Sequence, residues 1–311
     1  MIELKRFEAA DSDIWDEFLL RSRADTFLFL RKYMDYHADR FSDHSFLIYR
    51  KGKLHGVLPG NRVGSTFFSH QGLTYGGLVL SAAVTAAEVL HIFNLLNDRL
   101  GADGIQKVIY KPLPPIYQKF PMQEDIYALY KLGAVKIGCN LSSSIFQRQK
   151  IQFTESRKSG IRKSKQAGIR IETGDDFHEF WTILENTLQN RHKTKPAHTV
   201  DEISRLQKLF PENIRFHVAM HGSETVAGCV MYIMQQVVHV QYISANAPGK
   251  QTGALDLLFD KLINEVYIDF PVFDFGSSTV GLGEFLNESL IFQKEGFGGR
   301  GTLYEIYQYN L

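Results

Sequence analysis

Chemistry is first suggested by the stretch Asn246-Ala-Pro-Gly-Lys-Gln-Thr-Gly253, which follows an alternating run from Val238 to Ile243. Val, His and Tyr in alternation suit a pleated strand, and Pro with two glycines ends it in a loop. Apolar residues then recur at Leu255, Leu258, Phe259, Leu262, Ile263 and Val266, the spacing of an amphipathic helix. A second strand, Val272-Phe-Asp-Phe275, comes after Pro271. Strand, glycine loop, helix, strand is a unit whose helix start points backbone N–H groups at an anion, with the helix dipole favouring negative charge there. The loop lacks Gly-x-x-x-x-Gly-Lys-Ser/Thr and Gly-x-Gly-x-x-Gly, so it is neither a Walker loop nor a dinucleotide fingerprint. Thr252 also has the type to cap the helix.

A second charged feature precedes it. Between Arg148 and Arg170 stand eight cations and one acid, Glu155. Lys158, Arg162 and Lys165 share a helical face, and clustered like charge needs an offsetting partner. Arg and Lys together suit a phosphate-bearing ligand.

The elements that position these residues repeat. Phe46–Tyr49 and Leu54–Leu58 form a hairpin, and Thr66–His70 is a strand running into Gln71-Gly-Leu-Thr-Tyr-Gly-Gly77. A helix follows at Val89, Ile92, Phe93, Leu96 and Leu100, then a strand at Ile105–Tyr110. The same order runs from Ile214 to Phe275, with a hairpin of Phe216–Ala219 and Val226–Tyr232. Earlier, Asp11–Leu19 reads as a capped helix and Thr26–Phe41 as another, its Arg31, His37 and Arg40 facing water over an aromatic core. Two more helices are expected between 176 and 210, joined by a basic loop that includes His198.

Three runs carry a family resemblance: Phe273-Asp-Phe-Gly276, Phe292-Gln-Lys-Glu-Gly-Phe-Gly-Gly299, and Arg157-Lys-Ser-Gly-Ile-Arg-Lys-Ser-Lys-Gln-Ala-Gly168. Together they resemble the GNAT superfamily of N-acetyltransferases, in particular its tandem branch with the FemAB-type aminoacyltransferases and related acyl-CoA-using acetyltransferases. The resemblance implies an α/β (α+β) chain of two tandem GNAT-like domains, each a mixed, mostly antiparallel sheet flanked by helices, spanning 1–149 and 150–311. It implies an acyl donor along Tyr242, Ser244 and Asn246, with its phosphates at Gly249, Lys250, Gln251, Thr252 and Gly253. The acceptor then faces Arg157, Arg162 and Lys163, with His37 from the first half.

Amide formation from a thioester needs the two reactants held in line, a neutral amine and a polarised carbonyl. Asp274, His239 and His70 are the candidate bases, and His70 and Tyr75, at the first glycine turn, are candidates to line an acceptor cleft. No nucleophile triad and no metal constellation appears among eleven histidines, so direct transfer is the simpler chemistry. The resemblance implies N-acyl transfer, from acetyl-CoA or another acyl-CoA, to a small or nucleotide-linked amine, and the family's habits place it in cell-envelope or surface-polysaccharide synthesis. The alternatives are a FemAB-type peptidyltransferase using aminoacyl-tRNA and a non-catalytic GNAT-fold binding module.

Composition bounds the rest. The 311 residues suit two cores, 44% hydrophobic and 22% charged content is ordinary for a globular chain, and a net charge of +1 gives no global pull toward DNA or membrane. Two cysteines far apart, an acidic start and no long apolar run point to a cytoplasmic protein without a transmembrane segment.

Overall fold

The computed structural model describes residues 2–311. The chain divides into two compact units, one of residues 1–141, 279–285 and 302–311, the other of 142–278 and 286–301. The units therefore interleave in sequence, in place of a single cut at 149/150.

In the first unit, β1 (Ile2–Arg6), β3 (Phe46–Arg50), β4 (Lys53–Leu58) and β7 (Val79–Leu80) form an antiparallel sheet in the order β1-β3-β4-β7. The short strands β2 (Ser42–Asp43), β5 (Asn61–Val63) and β6 (Thr66–Phe68) continue through β8 (Lys107–Tyr110) to the C-terminal β17 (Arg300–Asn310). Only β6 and β8 run parallel among these pairs. Helices α1 (Ser12–Arg21), α2 (Arg31–Met34), α3 (Ala86–Ala102) and α4 (Glu124–Lys131) complete the unit. The helix expected over 26–41 shrinks to α2 and one 3-10 turn. Arg31 is one reason: it is buried, its guanidinium lies 3.7 Å from the Phe7 ring centroid, and it pairs with Asp35 and Asp43, both at 2.9 Å. It is thus a packed cation and not a solvated one.

The second unit begins within β9 (Val135–Phe146). Its strand order is β10 (Arg170–Gly174), β11 (Ile214–His221), β12 (Glu224–Ile233), β13 (Val237–Ala245), β14 (Val272–Ser277), then β9. All pairs are antiparallel except β13 with β14. This is the mixed, mostly antiparallel sheet expected for each half. One face carries α5 (Glu155–Gln166) and α9 (Ala254–Lys261), which extends as a π-helical turn over 262–266. The core there is Val238, Val240, Leu258, Phe259, Phe273, Phe275 and Phe297. Helix α6 (His178–His192) packs on β12 and β13, and α7 (Val200–Leu209) on β11. The segment read as an irregular loop, 246–253, contains a short helix, α8 (Ala247–Thr252): Pro248 sits in its first turn, where the missing N–H costs nothing. The hairpin β15 (Thr279–Val280) with β16 (Phe285–Leu286) precedes α10 (Glu288–Gly296). Among the described residues, no helix is long and apolar enough to cross a membrane.

One buried acid in the first unit makes stability depend on pH. Asp125 is 4% exposed, accepting a hydrogen bond from the Tyr110 hydroxyl (2.8 Å) and from the Ile126 amide (2.8 Å). Burial raises its carboxyl to about 7 against those bonds. The folded state thus holds a proton that the unfolded chain releases near pH 4, so stability falls as pH rises through that window and is lowest above about 7. Asp125→Asn should stabilise the protein by on the order of 2–3 kcal/mol at pH 8, a gain that shrinks toward pH 4. Urea denaturation across that pH range checks this; an equal effect at both ends would contradict it.

Candidate functional site

The site is built where β13 and β14 separate. They pair over only three residues, Val237↔Val272, Val238↔Phe273 and His239↔Asp274. Beyond that point both strands are bent. Val230 of β12 faces Tyr242 while Met231 faces Val240, leaving Gln241 as an extra residue in β13. The β14–β9 register shifts between Asp274 and Ser277, and Gly276 adopts φ +74°. A bulge in one strand and a left-handed glycine in the other turn the two away from each other.

Asp274 anchors this fork. It is fully buried; Oδ1 accepts from the Ser142 hydroxyl (2.6 Å) and the Ser144 hydroxyl (2.9 Å), and Oδ2 lies 2.7 Å from His239 Nδ1. A carboxylate so enclosed fixes the imidazole rather than reaching a substrate itself. Holding Nδ1 as the proton-bearing nitrogen leaves Nε2 as the basic one. The His239 ring lies beneath Gly276, where a Cβ would come within 3.1 Å of His239 Cε1. Lys294 of α10 closes the other side: it is 4% exposed and donates to the carbonyls of Gly276 (2.7 Å) and Ser277 (2.8 Å). Burial pushes its ammonium down to about 8, opposed by the Asp274 carboxylate. Lys294 stands inside the Phe292–Gly299 run, but as one more lysine on a helix it carried no signal of its burial.

Beside the fork is a cavity of about 540 Å³. One wall is apolar, with Leu184 and Leu188 of α6, Ile243 of β13 and Leu255 of α9. Another holds Gly249, Lys250 and Gly253, and α10 adds Leu290 and Gln293 with its cap residue Asn287. Of the residues expected to hold a donor, Ser244, Gly249, Lys250 and Gly253 line this one space. Four others do not. Tyr242 is buried with its hydroxyl 2.5 Å from His198 Nδ1. Asn246 caps α8, accepting from the Gly249 amide at 2.9 Å. Thr252 ends α8 instead of capping the next helix, its hydroxyl donating to the Pro248 carbonyl, and Gln251 is exposed.

The acceptor set is dispersed. Arg157 lines the cavity, paired to Asp256 at 2.6 Å. Burial raises the Asp256 carboxyl and the Arg157 guanidinium lowers it. Arg162 and Lys163 are exposed on other faces of α5. His37, His70 and Tyr75 are buried inside the first unit, at 1%, 4% and 2% exposure, and so do not line a cleft. The two histidine rings pack 5.3 Å apart, and burial lowers them to about 4 and about 3, keeping both neutral. Tyr75 bonds the Thr26 hydroxyl at 2.9 Å and packs at a tilt against Tyr117, ring centroids 4.6 Å apart. Their polar types placed them in a site; the aromatic residues around them place them in a core.

Gly253 joins α8 to α9 at φ +74°, and a Cβ there would lie 2.7 Å from the Gly160 carbonyl oxygen of α5. Gly253→Ala should therefore cost about 2–3 kcal/mol. Gly168→Ala, at φ +72° but in open space, should cost about 1 kcal/mol. Equal losses in chemical denaturation would show that the close approach of α5 contributes nothing.

Residues 153–281 match the acetyltransferase (GNAT) domain family. No curated protein sequence matches the chain. Among solved structures, FemX superposes with a TM-score of 0.69 at 9% identity, covering 99% of this chain and 97% of that one. L-PGS from Bacillus licheniformis gives 0.63 at 13%, covering 97% and 92%. A tandem GNAT protein of the clavulanic acid biosynthesis pathway gives 0.57 at 10%, covering 100% and 98%. At such identities these likenesses speak for the fold, a tandem GNAT architecture.

Proposed function

We propose that the chain, whose residues 153–281 match the acetyltransferase (GNAT) domain family, is an N-acyltransferase that moves an acyl group, acetyl from acetyl-CoA, to the amine of a small or nucleotide-linked acceptor. The observation that carries this reading is the parting of β13 from β14 after His239 and Asp274, with a cavity opening beside it. Past the fork no β14 residue stands opposite Ile243 to Ala245, so that edge of β13 suits the amide-bearing arm of a thioester. The apolar wall of Leu184, Leu188 and Leu255 suits its methylenes, and Lys250, Arg157 and the start of α9 supply positive charge for its phosphates.

The residues at the fork support direct transfer. The amine attacks the thioester carbonyl, a C–N bond forms, and the C–S bond breaks to release a thiolate. His239 Nε2 takes the proton that the attacking nitrogen must lose and passes it to the departing sulfur. Asp274 is then a positioning residue, holding the tautomer through Nδ1. Gln241, the bulged residue of β13, is a candidate backbone donor to the carbonyl oxygen as charge develops there. The reading keeps a cytoplasmic location on the ground of composition and a role in cell-envelope or surface-polysaccharide synthesis through the tandem GNAT resemblance alone. A second reading, an acyl group delivered on transfer RNA, is favoured by the exposed cations of α5.

Isothermal calorimetry of acetyl-CoA is the test. Binding should be micromolar in the native chain and lost in Leu188→Trp, which fills the cavity without touching the fork. Absence of binding by acetyl-CoA and longer acyl-CoAs would overturn the donor assignment. With an acceptor in hand, His239→Asn should keep donor affinity and lower kcat at least about 100-fold. Asp274→Asn should lower kcat by a smaller factor and shift its pH profile; unchanged profiles in both would remove the pair from catalysis.

A further inference from the structure

Helix α5 sends its arginines to different places. Arg157 lines the cavity beside the fork, whereas Arg162 lines a separate groove of about 380 Å³. Among the described residues, the fork cavity has three charged lining groups, Arg157, Lys250 and Asp256. The two cations suit the phosphates of an acyl donor. Asp256 is an acid in the same space, and the transfer chemistry above gives it no task.

Asp256 is 8% exposed, in the first turn of α9. Its Oδ1 accepts from Arg157 Nη1 at 2.6 Å. Among the described residues that is the one hydrogen bond of the guanidinium, and Arg157 Nε is buried without a partner. The pair is thus single-pronged, and most of the N–H fork that fits a phosphate is unspent. The carboxylate itself is fixed. Its Oδ2 lies against Gly160, where a Cβ would come within 1.9 Å of it. Burial raises its carboxyl, and Arg157 is the charge that opposes this. Lys250 faces the cavity from α8, and the lining residues of α6, β13 and α10 are uncharged. Asp260, one turn on in α9, is engaged by Asn264 and Lys165.

We propose that Asp256 is a positioning residue of the donor site, an internal stand-in for a donor phosphate: it holds Arg157 until a phosphate takes the guanidinium over, and it then binds a proton. The inference rests on the donor reading given above. Two anions on one guanidinium repel each other, and a carboxylate pressed on Gly160 cannot swing away to relieve this. With Arg157 drawn toward the phosphate, the effect of burial prevails and the carboxyl is neutralised from solvent. Donor binding is thereby coupled to proton uptake. An acyl thioester without phosphates leaves the pair as it stands and takes up no proton.

The test is calorimetry of the full chain in phosphate-free buffers of two ionisation heats, with acetyl-CoA, acetyl-dephospho-CoA and acetyl-pantetheine as probes. The pyrophosphate of acetyl-dephospho-CoA does not titrate near neutral pH, so protons taken up with it belong to the protein. Both CoA probes should bind the native chain more tightly as pH falls from neutral, and acetyl-dephospho-CoA should bind with net proton uptake at mildly acid pH. Asp256→Asn keeps the shape and the acceptor for Arg157 but not the charge. It should tighten acetyl-CoA at least about fivefold at neutral pH, abolish the proton uptake, and leave acetyl-pantetheine within about twofold. A carboxylate that only clips α5 to α9 gives a different result: Asp256→Asn lowers the melting temperature, with acetyl-CoA affinity and proton uptake unchanged. That result, or equal tightening of acetyl-pantetheine, overturns the proposal and leaves the donor reading standing. If Asp256→Asn does not fold, the native chain decides, and binding of acetyl-dephospho-CoA without proton uptake overturns the proposal. No binding of acetyl-CoA or longer acyl-CoAs to the native chain overturns the donor reading and this inference together.

Discussion

The second unit depends on one buried carboxylate. Asp274 sits where two parallel strands stop pairing, and its oxygens accept from serine hydroxyls of β9 on one side and hold a histidine of β13 on the other. An ionised carboxylate at zero exposure costs several kcal/mol unless its lone pairs are met. Here they are met by groups from two neighbouring strands, β9 and β13, so the geometry of β9, β13 and β14 at that level is tied together by a single side chain. Everything that follows, the bend at Gly276, the bulge at Gln241 and the cavity alongside, builds outward from this point.

The surrounding packing keeps the fork from collapsing. Phe259, Phe273, Phe275 and Phe297 pack edge-on or stacked under the sheet, with centroids 5.1–6.2 Å apart, and hold α9 against β14. On the outer side Lys294 donates to the carbonyls of Gly276 and Ser277 at the bend. The α5–α9 contact is made close by two glycines, Gly160 and Gly253, and secured by Arg157 with Asp256. Helix α5 therefore has a structural inner face and a charged outer one, and this division separates its arginines into different roles.

The two units show how the same order of elements leads to different interiors. In the first unit, β6 and β8 also run parallel for three residues before a glycine turn. There the turn is packed around buried groups: Lys111 donates to the Leu73 carbonyl, and Tyr110 ties the Leu78 amide to Asp125. His37 and His70, neutral and enclosed by aromatic rings, belong to the same filling. Large side chains occupy in that unit what the smaller residues around the fork leave open in the second.

Local pattern determined the elements of this protein. Period-two and period-3.6 apolar spacing located the two hairpins, α3, α9 and the strands that flank them, because burial on one face of an element is written in neighbouring residues. The glycine stretch and the Phe-Asp-Phe-Gly run were visible as types out of place in regular structure. What lay beyond the sequence was long-range. That Asp274 is enclosed depends on Ser142 and Ser144, more than a hundred residues earlier in the chain. That His70 and Tyr75 are core residues depends on rings at 37, 41 and 117. That Arg157 and Arg162 serve different cavities depends on which face of α5 meets α9. Residue type tells what chemistry a side chain can do; only tertiary packing decides whether water, a substrate or another side chain is there to receive it.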